Sequence, residues 1–407
     1  MLADPIRRNT LLLAALLTCL SGMVQLVVAV STLTLVLVTG IESILGLGPA
    51  IFLAFGAAAA FPAGKAMDSF GRRPVLAAGA FAGVAGCGVT AAGCAFDSAP
   101  LVIAGFALVG ASQGTVLLAR AAAADLYPPE RRARGISLVL QGALFGAALG
   151  PLVFRPLLAG KDLELDSLVV PYLAAGGIMA IGLALVLAIR PDPKEIATRW
   201  HAVETAAPAA PLREILRRPG VRAGLVGAIA SFAVMVAVMN LTGYVVVGHG
   251  HHQSDVFDVI SAHIVGMYAL VLVIGSLIDR FGRRPAVVTG LAVMAVSCVG
   301  LVWAESILWS SVALFGLGLG WNISYVGSAT ILADAASPSE RGKLLGFTDL
   351  VSSATGASLA LLGGVAYTEI GITALALGAT AFVVLPGLWI LLQSSAGGRS
   401  VRPLSVR

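Results

Sequence analysis

Two pairs of soft metal-binding side chains lie in neighbouring apolar segments in the second half of the chain. Met235 and Met239 are four residues apart in LVGAIASFAVMVAVMNLTGYVVV, and His263 and Met267 are four apart in VFDVISAHIVGMYALVLVIGSLI. Residues at i and i+4 share one helix face, so each segment presents two donors one turn apart. Thioether and imidazole groups suit Cu(I), whereas Mg²⁺ and Ca²⁺ prefer oxygen. If the two faces meet, this spacing predicts a copper site.

Packing is the alternative interpretation of the same four residues. A methionine in a membrane helix commonly fills space between side chains. An intramembrane histidine commonly forms a hydrogen bond to another helix instead of binding a ligand. Spacing alone leaves both interpretations open.

Two further groups of residues could take part in transport. The loop GHGHHQSD contains His249, His251 and His252, which could collect a metal ion and pass it to His263, or could form only a solvated polar turn. Asp349 lies inside a later apolar segment. It could carry a coupling proton. It could equally form an inner lock with Lys343, Arg341 or a helix end, and we favour the lock.

The segments that hold these residues predict an all-α integral membrane protein. The chain has 407 residues, 58% of them hydrophobic and 12% charged, and a mean hydropathy of +0.95. Soluble domains carry about 25% charged residues. Apolar stretches long enough to cross a bilayer core of about 30 Å recur along the chain. We predict twelve spans, at about 10–38, 44–63, 75–96, 99–121, 134–155, 168–189, 221–247, 256–278, 286–304, 307–332, 344–366 and 370–392.

The positions of the basic residues predict the topology. With the N-terminus in the cytoplasm, all lysines and arginines except Arg155 and Lys161 fall on the inner side or at an inner helix end. This is the positive-inside pattern, so both termini are expected in the cytoplasm. The net charge of +5 therefore indicates topology and lipid contact, and it implies no nucleic-acid partner. The four cysteines lie inside spans without metal-site spacing, and we expect no permanently bound cofactor.

The chain also contains an internal repeat. GKAMDSFGRRP at 64–74 recurs as GSLIDRFGRRP at 275–285, and DLYPPERRARG at 125–135 recurs as DAASPSERGK at 334–343. Both pairs occupy matching places in the two halves, which indicates parallel repeats of six spans. We predict bundles at 1–190 and 221–407, joined by a cytoplasmic linker at 191–220.

The paired G-x-x-x-D-x-F-G-R-R-P segments, the twelve-span layout and the basic linker resemble the major facilitator superfamily of transporters. FGAALGP at 145–151 is similar to the glycine-proline signature of that superfamily. The resemblance implies alternating access. It also implies a cytoplasmic gate formed by two matching sets of residues: Asp68, Arg72 and Arg73 in the first half, and Asp279, Arg283 and Arg284 in the second.

Within that superfamily, MxxxM followed by HxxxM resembles the CcoA-like copper importers, as do HIVGMYALVLVIGSLIDRFGRR and LGFTDL. This resemblance implies import of copper, as Cu(I), for haem–copper oxidase assembly. It implies a monomer in the bacterial cytoplasmic membrane, with Met235, Met239, His263 and Met267 as transient ligands. The alternative is a proton-coupled transporter of an organic solute such as riboflavin or a drug. No catalytic motif is present, so we expect no enzyme.

Overall fold

The computed structural model describes residues 4–41, 47–149, 152–153, 157, 164–198, 209–248, 255–303 and 305–397, and these are almost entirely helical. Helices are expected because a chain in lipid must satisfy its own backbone hydrogen bonds. In the first half, the helices are α1 (Pro5–Thr39), α2 (Leu47–Phe70), α3 (Arg72–Ala95), α4 (Ala99–Val116), α5 (Ala119–Leu126), α6 (Arg132–Leu140), α7 (Gly142–Leu149) and α8 (Leu165–Leu187). Two short helices, α9 (Pro193–Ala197) and α10 (Leu212–Ile215), lie in the linker. The second half contains α11 (Val221–Gly248), α12 (Asp255–Tyr268), α13 (Val271–Phe281), α14 (Arg283–Gly300), α15 (Ile307–Ala335), α16 (Arg341–Glu369) and α17 (Ile372–Gly397).

The all-α membrane class is confirmed, but the number of twelve spans is not. Within the described residues, ten helices are long and apolar enough to cross a membrane, and the bent pair of α12 and α13 brings the number to eleven. The predicted fifth span is not one of these long helices. It consists of the short helices α6 and α7, and most of its last few residues lie outside the described part of the chain.

Three of the predicted spans are interrupted partway along their length. The breaks lie at Leu117–Leu118 between α4 and α5, at Gln141 between α6 and α7, and at Ala269–Leu270 between α12 and α13, where the axis bends by 42°. Backbone N–H groups at each break still donate to carbonyls three or four residues earlier, as Leu118 does to Thr115, Gln141 to Ser137 and Ala269 to Val265. The interruptions are therefore local changes of helical geometry, and among the candidate spans in the described residues only the one between α12 and α13 bends by more than 40°.

Small residues bring the two bundles into contact at the end that carries segments 64–74 and 275–285, which we call the motif side. A methyl group on Gly64 of α2 would lie 2.0 Å from the carbonyl oxygen of Gly342 on α16. A methyl group on Gly275 of α13 would lie 2.5 Å from the hydroxyl of Ser137 on α6. Only glycine permits such an approach between backbones. The bundles are therefore packed directly against each other on the motif side.

The linker is attached to both bundles. Asp192 accepts hydrogen bonds from the backbone N–H groups of Arg72 (3.1 Å) and Arg73 (2.8 Å) at the start of α3. On the other bundle, Glu340 accepts two hydrogen bonds from Arg218, at 2.6 and 2.8 Å. Residues 199–208 between these attachments lie outside the described part. Each described end of the linker is therefore fixed by hydrogen bonds to one bundle, the first end to the N-terminal bundle and the second to the C-terminal bundle.

The Glu340 attachment predicts a pH-dependent stability. Burial acts to raise the pKa of Glu340, but hydrogen bonds from Arg218, Ala210 and Ser337 outweigh it and hold that pKa at about 2, below the ordinary value of 4.5. A depressed carboxyl pKa stabilises the fold above the unfolded value, and this contribution is lost as the pH falls from 4.5 towards 2. Glu340→Gln should therefore lower the melting temperature at pH 7, and the difference from wild type should shrink below pH 4.5. A constant difference from pH 7 to pH 3 would contradict this assignment.

Candidate functional site

A buried ion cluster joins the bundles on the motif side. The Asp125 carboxylate accepts a hydrogen bond from Nε of Arg72 at 2.6 Å and another from Nη1 of Arg341, which belongs to the opposite bundle. The side chains of these three residues are completely buried. Arg72 also pairs with Asp68 at 3.3 Å and donates to the carbonyl of Pro338 across the interface. Two arginines therefore share one fully desolvated carboxylate.

Asp68 and Asp279 each hold the first turn of a helix in the opposite bundle. Asp68 accepts hydrogen bonds from the backbone N–H groups of Gly342 (2.8 Å) and Lys343 (2.6 Å) at the start of α16. Asp279 makes the equivalent bonds to Ala133 (3.3 Å) and Arg134 at the start of α6. A carboxylate is favourable there because a helix N-terminus carries unpaired N–H donors and partial positive charge. Both motif aspartates thus act across the interface between the bundles.

A second ion cluster repeats the first in the other half, but it is more hydrated. Asp334 pairs with Arg132 of the opposite bundle at 2.6 Å and with Arg283 at 3.2 Å, and Arg283 lies 3.7 Å from Asp279. The side chains of Asp334 and Arg283 are 30% and 23% exposed. Water can therefore screen this cluster, whereas it cannot reach Asp125 in the first.

The structure separates the two arginines of each predicted motif. Arg72 and Arg283 belong to the ion clusters. Arg73 instead donates to the carbonyl of Leu187 at 2.8 Å, and Arg284 lines a surface recess beside Pro219.

Three of the remaining cluster members, Asp125, Arg132 and Asp334, had no predicted role, and Arg341 was predicted only as a possible partner of Asp349. The recurrence of 125–135 as 334–343 was the available signal, because it places an aspartate and an arginine at matching positions in both halves.

Deeper in the protein, Arg120 on α5 forms an ion pair with Asp349 on α16. The side chains of Arg120 and Asp349 are 1% and 9% exposed, and they belong to opposite bundles. The partner of Asp349 is therefore neither of the residues named as candidates for an inner lock. Lys343 donates to the carbonyl of Ala210, and Arg341 is bound to Asp125. Arg120 had no predicted role, although an arginine near the inner end of an apolar segment is itself a signal.

A row of aromatic side chains begins at this ion pair. The Arg120 guanidinium lies 5.1 Å from the ring centre of Tyr325, and Tyr325 stacks on Trp321 at 4.8 Å and 17°. Trp321 in turn meets Tyr268 edge-on at 6.2 Å, and Phe232 lies 6.3 Å from Tyr325. Trp321 and Tyr325 share a face of α15 because they are four residues apart. We call the set Arg120, Phe232, Tyr268, Trp321, Tyr325 and Asp349 the central layer.

The position of the central layer follows from helical rise. Arg120, Asp349 and Tyr325 lie five, eight and nine residues along their helices from the motif-side ion clusters. A helix rises 1.5 Å per residue, so these side chains lie roughly 8 to 14 Å above the clusters. That depth is near the middle of a hydrocarbon core about 30 Å thick, which is where transporters of this architecture bind their substrates.

The central layer contains buried polar atoms that have no partner among the described residues. They are Arg120 Nε, Trp321 Nε1, the Tyr325 hydroxyl and Asp349 Oδ2. Leaving such atoms unpaired costs free energy, so each of them calls for an explanation. An aromatic surface with a few convergent polar groups is the usual composition of a site for an organic molecule.

The predicted copper ligands lie in a different environment. Nδ1 of the buried His263 is 2.9 Å from the carbonyl oxygen of Leu314 on α15. Because a carbonyl only accepts, Nδ1 carries the proton and Nε2 keeps a free lone pair. Met235 and Met267 belong to the hydrophobic core, and Met239 packs against it. The methionines agree with the packing interpretation, whereas a histidine with Nδ1–H bonded to a carbonyl and a free Nε2 is also the usual form of a metal ligand.

Other parts of the proposed metal path are not described. His249, His251 and His252 lie outside the described residues. Within the part of the chain that the structure describes, no three His, Cys, Asp or Glu side chains form a group that could hold a metal ion. The copper ligand set remains a prediction.

His263→Ala distinguishes the two interpretations of this histidine. If His263 mainly ties α12 to α15, its loss should cost about 1 to 2 kcal/mol of stability, since one buried hydrogen bond and some packing disappear. The affinity for an organic solute should stay within about twofold of wild type. Thermal unfolding and solute binding measure the two effects, with His263→Gln as a control that can retain the bond to Leu314. Loss of copper accumulation in folded His263→Ala would instead support the metal site.

Comparisons with known proteins agree with the fold. The sequence model of the family described as "Major Facilitator Superfamily" matches this chain twice, at residues 11–257 and 253–405. The chain is 29% identical over 347 residues to the uncharacterized MFS-type transporter YddS of Bacillus subtilis, covering 83% of this chain and 80% of YddS. It is 30% identical over 311 residues to the riboflavin transporter RfnT of Brucella anthropi, covering 74% of this chain and 75% of RfnT.

Solved structures show the same architecture. The human organic anion transporter MFSD10 superposes with a TM-score of 0.75 at 18% identity, covering 95% of this chain and 100% of MFSD10. The E. coli fucose:proton symporter FucP superposes with a TM-score of 0.77 at 14% identity, covering 96% and 99%. The profile match spans both halves, and the helices assemble into the same fold. The chain therefore belongs to the Major Facilitator Superfamily and is a membrane transporter of small molecules, not an enzyme.

Proposed function

We propose that this transporter carries a flat aromatic organic solute, with riboflavin as the leading candidate, into the cell by alternating access. The observation that carries the proposal is the central layer, where Trp321 and Tyr325 present stacked rings beside an ion pair that joins the bundles. Planar ring systems stack favourably on such side chains. A ligand with hydrogen-bonding groups would also satisfy the unpaired polar atoms.

The relative RfnT supports the choice of solute. It carries the name riboflavin transporter and matches most of both chains at 30% identity. An isoalloxazine ring is planar and bears several acceptors and one N–H donor, which suits the polar atoms of Arg120, Tyr325 and Asp349. Copper import has less support, because the three methionines pack in or against the apolar core and RfnT, a relative, is named for riboflavin transport.

In this mechanism, the motif-side clusters form the gate. Asp68 and Asp279 hold helices of the opposite bundles, and Asp125 and Asp334 bind arginines across the same interface. Opening the motif side requires all of these contacts to break. Asp349 is the carboxylate of the central layer, so it is the group that would carry a coupling proton if transport is proton-driven.

Uptake of labelled riboflavin tests the proposal in a riboflavin auxotroph. We expect the wild-type chain to restore growth and accumulation, and Trp321→Ala to lower uptake at least tenfold through loss of the stacking surface. Trp309→Ala is the matched control, because Trp309 is 65% exposed on the outside of α15. Copper accumulation is measured in the same cells. Copper uptake without flavin uptake would overturn the proposal.

A further inference from the structure

The Arg120–Asp349 pair uses only part of its hydrogen-bonding capacity. Nη2 of Arg120 donates to Oδ1 of Asp349. Nε of Arg120 and Oδ2 of Asp349 are buried and have no partner within the described part of the chain. A charged pair in a low-dielectric interior is normally bidentate or completed by other groups. One free donor and one free acceptor therefore remain in the middle of the protein.

The two free atoms select a particular ligand chemistry. Nε–H requires an acceptor, and Oδ2 requires a donor. A ligand carboxylate would place a negative charge against Oδ2, and a ligand ammonium would place a positive charge against Arg120, so both would be disfavoured. A neutral group that carries both C=O and N–H offers an acceptor to Nε and a donor to Oδ2 without adding a charge. Amides, lactams and cyclic imides have this arrangement.

The surroundings of the pair favour the ring form of such a group. Tyr325 lies against the Arg120 guanidinium and stacks on Trp321. A flat molecule whose polar edge reaches the ion pair would therefore find aromatic surface immediately beside that edge. Open-chain amides would leave this surface without a partner.

We propose that Nε of Arg120 and Oδ2 of Asp349 bind the C=O and N–H of a cyclic imide, such as the pyrimidinedione edge of a flavin. The inference rests on the proposed function for its choice of flavin, but the imide chemistry itself comes from the ion pair. Because the two atoms belong to opposite bundles, the bound edge joins the bundles directly. The Arg120–Asp349 pair therefore recognises the solute by its imide group. It also links solute binding to the relative position of the two bundles.

Blocking the imide N–H tests this assignment. Equilibrium binding to the purified full-length protein is measured for riboflavin and 3-methylriboflavin, and for 1-methylquinazoline-2,4-dione and its 1,3-dimethyl derivative, so that N3–H is the only ring N–H in each parent compound. Methylation removes the donor to Oδ2 and should weaken binding about tenfold or more, since a hydrogen bond to a charged group is lost. In Asp349→Asn the preference should shrink to within about twofold. If that variant does not fold, Arg120→Gln/Asp349→Asn removes both charges and serves in its place.

Each outcome decides between the two proposals. Equal binding of riboflavin and its 3-methyl derivative overturns the imide assignment while the proposed function stands. A preference for 1-methylquinazoline-2,4-dione over its 1,3-dimethyl derivative without riboflavin binding overturns riboflavin as the solute and supports the imide assignment. Binding of none of the four compounds overturns both. If folded Asp349→Asn keeps the full preference for the compounds with a free N3–H, another residue accepts the hydrogen bond from the imide. That result also overturns the assignment.

Discussion

Replacing Asp125 by Asn is expected to open the motif side of this transporter and to destabilise its closed form more than any other single change on that side. Asp125 is completely buried and is shared by Arg72 and Arg341. Removing its charge takes a buried counter-ion from Arg341 and leaves Arg72 only its longer contact to Asp68, which costs about 3 to 5 kcal/mol. Because Arg341 belongs to the opposite bundle, the closed state bears this cost. The closed-to-open ratio should fall by more than about 100-fold.

A buried thiol between the bundles reports this opening. Ser137 is fully buried on α6 and faces Gly275 of the other bundle. Ser137→Cys is nearly isosteric, and the four native cysteines are buried. The labelling rate of this reporter by a permeant maleimide should rise strongly when Asp125→Asn is added.

Asp334→Asn is the matched control for Asp125→Asn. Asp334 holds the equivalent place in the second cluster, but it is 30% exposed, so water compensates part of the lost pairing. We expect its effect on labelling to stay within about tenfold. An effect of Asp334→Asn equal to that of Asp125→Asn would show that burial does not set the strength of the two clusters.

The second large effect concerns the Arg120–Asp349 pair, where the double variant should be more stable than either single variant. Arg120→Gln leaves a buried carboxylate, and Asp349→Asn leaves a buried guanidinium next to Tyr325. Each should lower stability by about 3 kcal/mol, because one buried charge loses its partner. Arg120→Gln/Asp349→Asn removes both charges, so most of this loss should be recovered.

The rate of solute uptake should not recover together with the thermal stability in the double variant. The double variant restores a neutral, compact centre, but it lacks the charged donor and acceptor that we assign to the solute, so uptake should stay at least tenfold below wild type. Thermal unfolding of the purified protein and uptake in cells separate the two quantities. If the two single losses of stability simply add in the double variant, the pair is not coupled and its assignment as an ion pair is wrong.

The fold class could be predicted from residue order because membrane helices are specified locally. An apolar stretch of about twenty residues must become a helix in lipid, wherever the rest of the chain lies. The division into two halves could also be predicted from short segments, since each copy of G-x-x-x-D-x-F-G-R-R-P can be recognised by itself. The fifth span is the exception. Its helix is interrupted at Gln141, and hydropathy does not register a break in a helix whose composition stays apolar.

The site depended on contacts between distant parts of the chain. The sequence places His263 and Asp349 inside apolar spans, but it could not identify the residues that they contact. Leu314 and Arg120 are brought to them by the packing of α12 on α15 and of α5 against α16. Helical periodicity determines which residues of one helix share a face. Which faces meet depends on shape and charge matching between helices far apart in sequence, and only the tertiary structure decided that the centre is an aromatic row ending in an ion pair between the bundles.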